Sequence, residues 1–171
     1  MKLQDAIVLI TGANRGIGLA FAEAALARGA RKVYAGVRSP SNFSNRGFVP
    51  IKLDVTSDDD VAVAARICND VTLVINNAGI ALLGGLLKAG TSDTARMQFE
   101  TNVFGILRMT QAFAPVLAKN GGGAFLNVLS AASWINDPAS YPHTSGVYNL
   151  MMSGGEYGSQ KGRRTGSSVH E

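Results

Sequence analysis

Thr11-Gly12-Ala13-Asn14-Arg15-Gly16-Ile17-Gly18 is the stretch on which the reading of this chain turns. An apolar run, Ala6-Ile7-Val8-Leu9-Ile10, precedes it and reads as a fully buried strand. An alanine-rich stretch from Leu19 to Arg28 follows it and reads as a helix stopped by Gly29. Strand, glycine-rich turn and helix form the context in which such a turn binds a dinucleotide. Without Cβ atoms the backbone can turn tightly, and helix amides can approach a pyrophosphate. The helix N-terminus then offers free N–H groups and a partial positive charge. Gly12, Asn14, Arg15, Gly16, Ile17 and Gly18 are therefore candidate cofactor-binding residues. The competing reading is an ordinary glycine-rich turn; its place directly after the first strand argues against that.

Outward from this turn, strands and helices alternate to about residue 135, as in a doubly wound parallel sheet. Lys32 to Val37, Val49 to Leu53, Val71 to Ile75 and Ala124 to Leu129 read as strands two to five. Ser57 to Cys68 reads as a helix with Ser57 as its N-cap and three aspartates near its positive end. The spacing of Met97, Val103, Ile106, Phe113 and Leu117 predicts one long helix from about Ser92 to Leu117. Pro115 falls near its end, where a kink or stop is tolerated. The expected fold class is α/β: a Rossmann-type, doubly wound parallel sheet of about five strands. Residues 1–140 are the expected NAD(P)-binding domain. Residues 141–171 read as an atypical, poorly ordered tail, because 151–171 hold five glycines, four serines and no continuous apolar face.

Composition narrows the function classes. The 171 residues are 46% hydrophobic and 16% charged, which fits one globular domain with a real core. The net charge of +4 is weak and spread along the chain, so a nucleic-acid surface is not expected. The longest apolar stretch, Ala124 to Ile135, is too short for a membrane span, and Met1 to Asp5 lacks signal-peptide form. The lone cysteine, Cys68, excludes an internal disulfide. A cytoplasmic protein with no membrane, nucleic-acid or metal partner is the expectation.

Four further segments carry a resemblance. They are Leu53-Asp54-Val55, Asn76-Asn77-Ala78-Gly79, Asn102-Val103-Phe104-Gly105 and Asn127-Val128-Leu129-Ser130. With the glycine turn, and in this order, they resemble the motifs of the short-chain dehydrogenase/reductase family over roughly residues 5–135. The resemblance implies that Asp54 hydrogen-bonds the adenine amino group and that the Val55 backbone completes that edge. It implies that Asn76, Ala78 and Gly79 lie at the cofactor ribose, with an asparagine side chain bracing neighbouring strands. It implies hydride transfer between a nicotinamide cofactor and a small carbonyl or alcohol, with Ser130 on the substrate oxygen and Asn102 helping to hold a proton-relaying water.

Arg38 bears on which cofactor. An acid about twenty residues past the glycine motif normally binds the ribose 2′-hydroxyl of NAD. Twenty residues past Gly18 this chain has Arg38. A guanidinium can pair with a 2′-phosphate, which an acid would repel. Arg15 can supply a second cation. NADP(H) is therefore expected over NAD(H); the other reading leaves both arginines as solvated loop residues.

The resemblance also implies further strands past a tyrosine-bearing helix, so the sheet is expected to be incomplete on its C-terminal side, shortened or altered after about residue 140. The match departs at the catalytic pair. The family places a tyrosine a dozen or so residues after the serine, with a lysine four residues later. A lysine one helical turn away favours the phenolate, and this spacing puts both side chains on one face. Here Tyr141 is followed at that spacing by Ser145, His143 by Val147 and Tyr148 by Met152. The one Tyr-x-x-x-Lys is Tyr157 to Lys161, which begins 27 residues after Ser130, with Gly158 and Gly162 opposing a helix. Three readings stay open: an NADP(H)-dependent reductase using Tyr157 and Lys161 with impaired turnover, a non-catalytic NADP-binding module pairing through the 92–117 helix, or a fragment without an independent role. The second includes a homo-oligomer.

Overall fold

Five apolar runs form five parallel strands: β1 (Ile7–Thr11), β2 (Lys32–Val37), β3 (Val49–Lys52), β4 (Leu73–Asn76) and β5 (Ala124–Asn127). Their spatial order is β3-β2-β1-β4-β5. The structure, a computed structural model, describes residues 2–42, 47–82 and 91–130. Tyr141, His143, Tyr148, Tyr157, Lys161 and the whole of the expected tail lie outside the described residues. The helices are α1 (Gly16–Ala27), α2 (Asp58–Ile67), α3 (Thr91–Phe99) and α4 (Gly105–Lys119).

A sheet covered on both faces needs strands that are apolar at every position, and all five residues of β1 are buried. Successive side chains point to opposite faces. Ile7 and Leu9 therefore join the core beneath α2 and α4, whereas Val8 and Ile10 join the core beneath α1. Met109 and Phe113, both 0% exposed, bring α4 onto the first of these. Ala22 and Ala25 let α1 lie close against the second. Strand crossing from β1 to β2 on one side and to β4 on the other places a topological switch beside β1, where ligands of such sheets bind.

Three expectations need revision. The predicted single helix from Ser92 to Leu117 is instead three consecutive pieces, because a π-helical segment, Glu100–Phe104, separates α3 from α4. Simple periodicity misses such an inserted residue, since apolar spacing on either side stays helical. The first helix begins at Gly16, inside the glycine motif, rather than at Leu19. Strands three, four and five are shorter than expected, but Leu53 N–H still donates to Val37 O at 2.9 Å and Val128 N–H to Asn76 O at 2.9 Å. Among the described residues, no helix is long and apolar enough to cross a membrane.

Candidate functional site: a cleft at the carboxyl ends of the strands

The glycine turn forms because its backbone must pass very close to the end of β4. Gly12 has φ +68°, and a Cβ there would lie 3.1 Å from Ala78 Cα. At Gly18 a Cβ would come within 2.3 Å of Gly12 O and 2.5 Å of Asn77 Nδ2. Gly16 differs: a Cβ there would meet nothing within 4 Å, so this part of the turn faces open space. Packing explains the first and third glycines of the set, and the open side lies where a ligand can approach.

Polar bonds fix this turn to β4. Thr11 Oγ1 accepts from Asn77 N–H at 3.0 Å and Ala78 N–H at 2.9 Å. Asn77 Nδ2 donates back to Thr11 O at 3.0 Å and Gly12 O at 3.3 Å. The amides of Gly12 and Ala13 donate to Gly36 O. The first-turn amides of α1 have no acceptor within their own helix. Arg15, the N-cap, places no side-chain acceptor on them. They are thus available to an anion.

A cleft of about 950 Å³ opens there. Gly12, Asn14, Arg15, Gly16, Ile17, Gly18, Arg38, Asp54, Val55, Ala78 and Gly79 all line it. So do residues the motifs did not single out, among them Ser39, Thr56, Ile80, Met97, Glu100 and Thr101. Glu100 and Thr101 immediately precede Asn102, so the asparagine motif was a signal for this wall; the π segment that turns them inward was not legible. Thr56 follows from Asp54, whose Oδ1 accepts from Thr56 N–H at 2.9 Å and from Thr56 Oγ1 at 2.7 Å. Burial opposes the charge on the Asp54 carboxylate, but the bonds from Thr56 and the nearby cations Arg38 and Lys52 hold it below the usual carboxylate value. It stays an acceptor at neutral pH.

Three sequence-predicted residues are not part of the cleft lining. Asn76 is buried and its Nδ2 donates to Asn127 Oδ1 at 2.8 Å, tying β4 to β5. Asn102 is buried too; its Nδ2 donates to Ile80 O at 2.8 Å and its Oδ1 accepts from Ile80 N–H at 2.9 Å. Both ends of that amide are engaged by one backbone residue. Gln98, one helical turn earlier and fully buried, accepts from Leu82 N–H at 3.3 Å. The pair holds the segment leaving β4 as a neighbouring strand would. Ser130 follows β5 and is partly buried.

Comparison with known proteins gives this geometry its family. The short chain dehydrogenase family matches residues 6–145. The chain belongs to the short-chain dehydrogenase/reductase family. It is 32% identical over 159 residues to the uncharacterized oxidoreductase YusZ of Bacillus subtilis, covering 84% of this chain and 55% of that protein. A short chain dehydrogenase from Burkholderia cenocepacia, solved in complex with NADP, superposes with a TM-score of 0.81 at 40% identity, over 90% of this chain and 66% of that one. A short chain dehydrogenase/reductase from Burkholderia phymatum, solved with NAD, gives 0.77 at 25% identity, over 90% and 58%. The chain spans about half the length of the curated relatives it matches. Members of this family bind nicotinamide cofactors, and both forms occur among the structural neighbours.

Proposed function

We propose that the cleft takes NADP(H), and that the protein is an NADP(H)-dependent oxidoreductase of a small carbonyl or alcohol with impaired turnover. The observation that carries the cofactor choice is Arg38, which lines the cleft beside Asp54 at the end of β2. Arg38 and Arg15 are exposed to the cleft, and among the described residues neither forms an ion pair. Two such cations favour a 2′-phosphate, and an acid, the usual partner of a free 2′-hydroxyl, is missing at this position. The related Burkholderia cenocepacia protein in complex with NADP supports the same choice.

The residues present fit the group. The α1 amides at Gly16, Ile17 and Gly18 would hold the pyrophosphate, for which the open side of Gly16 leaves room. Asp54 and the Val55 backbone would take the adenine edge, and Ala78 and Gly79 the ribose. The nicotinamide, when bound, supplies or accepts the hydride. Ser130 would hold the substrate oxygen, and Tyr157, with Lys161 favouring its ionised form, would give or take the proton. Asn102 serves this scheme by holding Ile80, because one donor and the oxygen of its amide are bonded to that residue's backbone. Impaired turnover follows from the 27-residue offset between Ser130 and Tyr157.

Calorimetry with both cofactors tests the binding claim: NADPH is expected to bind about tenfold or more tightly than NADH, the effect of one charge-assisted contact. Equal affinities, or tighter NADH, would refute it. Slow NADPH oxidation with small ketones or aldehydes, lost in Tyr157→Phe, is the expected activity. The second reading, a non-catalytic NADP-binding module that pairs through the 92–117 region, is favoured by Met97, Phe104 and Leu107, each about half exposed on that region. NADPH binding without turnover on any carbonyl, together with dimers in solution, selects it.

A further inference from the structure

Eight residues separate Glu100 from Arg108. In an uninterrupted α-helix of 3.6 residues per turn, side chains so spaced point about 80° apart. The π segment takes up one more residue in its turn, and the two side chains meet: Arg108 Nη2 lies 2.5 Å from Glu100 Oε1. The same guanidinium reaches off its own helix, where Nε donates to Asp58 Oδ1 at 2.6 Å. Asp58 opens α2, two residues after Thr56. Glu100 and Thr101 line the cleft, and so do Asp54, Val55 and Thr56 from a second element. Gly105 lets these two elements approach closely, since a Cβ there would come within 2.8 Å of Val55 Cγ2.

Arg108 is no solvated surface ion. Its side chain is 24% exposed, and Nη1 is buried without a partner among the described residues. An exposed ion pair by itself contributes little, and Asp58 is exposed. The significance of the bridge is what it joins. We propose that Arg108 is a positioning residue of the cofactor cleft, fastening the wall of Glu100 and Thr101 to the wall of Asp54, Val55 and Thr56 through Asp58. Neither Arg108 nor Asp58 lines the cleft, so any effect of either on the cofactor is transmitted. The proposal rests on the reading of the cleft as a dinucleotide site.

The test uses the full chain and NADPH affinity by calorimetry. Asp58→Asn is expected to weaken binding about threefold and Arg108→Met on the order of tenfold, the range in which residues remote from a ligand act on it. The double variant is expected to bind no worse than Arg108→Met alone, and Arg108→Lys to recover part of the loss. Unchanged affinity in Asp58→Asn, or losses that add in the double variant, overturns the bridge. If Arg108→Met does not fold, Asp58→Asn and Arg108→Lys carry the same criterion. If the wild-type chain binds no NADPH, the dinucleotide reading falls, and the bridge is then read by hydrogen exchange of the ligand-free chain. Faster exchange in both 54–57 and 100–105 upholds it in Asp58→Asn; a change in one segment or neither rejects it.

Discussion

The two ends of this one parallel sheet treat their polar groups in opposite ways. At the amino end, polar side chains satisfy one another. Lys32 Nζ lies 2.6 Å from Asp70 Oδ2, and Tyr34 Oη donates to Asp70 Oδ1 at 2.9 Å. Thr72 Oγ1 accepts from Ile7 N–H, and Asn120 Nδ2 donates to the carbonyls of Asn69 and Val71 at 3.0 Å each. At the carboxyl end, the bonds among Thr11, Asn77 and Gly36 serve to hold a turn whose own first-turn amides and two arginines are left for something else. A closed end stabilises the fold. An open end, rigidly supported from behind, is what a ligand site requires.

The comparison can be broken most severely at Gly18. Gly18→Ala would set a Cβ against Gly12 O, a backbone atom with little room to move. It is expected to cost about 2–3 kcal/mol of stability and to abolish NADPH binding; denaturant melts and calorimetry read the two. A variant that melts and binds like the wild type would mean that the support of the turn is not tight. Thr11→Val keeps the shape but leaves the Asn77 and Ala78 amides without their acceptor. A loss of about 2 kcal/mol is expected, together with weaker NADPH binding, and urea melts give the first directly.

The amino end should answer differently. Asp70→Asn is expected to cost about 1 kcal/mol and to leave NADPH affinity unchanged; a fall in affinity would show that the two ends are coupled. Its pH signature follows from the direction of the shifts. Burial opposes the Asp70 charge, but the bonds from Lys32 and Tyr34 hold its carboxyl below the ordinary value of 3.8. That stabilisation is present above 3.8 and is lost as pH falls through the lower folded value, so the variant should lose less stability on acidification than the wild type. The bond to Asp70 raises Lys32 above its ordinary 10.5, so its contribution persists below that pH and disappears only as pH rises beyond the folded value. The smallest effect belongs to Cys68, fully buried, with burial first and Asp70 second pushing its thiol up to about 12. A maleimide at pH 8 should leave the native chain unlabelled and react once urea unfolds it; labelling of the native chain would expose this corner as open.

Much of the architecture was legible from apolar runs because a doubly wound sheet buries both faces of its strands. Ala6 to Ile10 read as a strand, which the chain forms over Ile7–Thr11, and the glycines after it read as a close turn. The N-cap at Ser57 was equally local: its hydroxyl accepts from Asp60 N–H at 3.2 Å, as the short spacing suggested. The π segment was not legible, because the phase shift of one extra residue is lost in the ordinary scatter of apolar positions over so short a window. Nor was the commitment of Asn102 to Ile80, which depends on two segments about twenty residues apart meeting across the end of β4.

By itself, then, the sequence determined the alternation of elements, the glycine turn and the pair Arg15 and Arg38, because each rests on local backbone freedom, burial or charge. Tertiary structure alone decided that Gly18 packs on Gly12 and Asn77 while Gly16 faces open space. It alone decided that Glu100 and Thr101 form a wall of the cleft, and that Arg108 joins that wall to Asp58. These are distances between segments far apart in the chain, set by how α3, the π segment and α4 pack on the sheet, and no spacing within one segment encodes them.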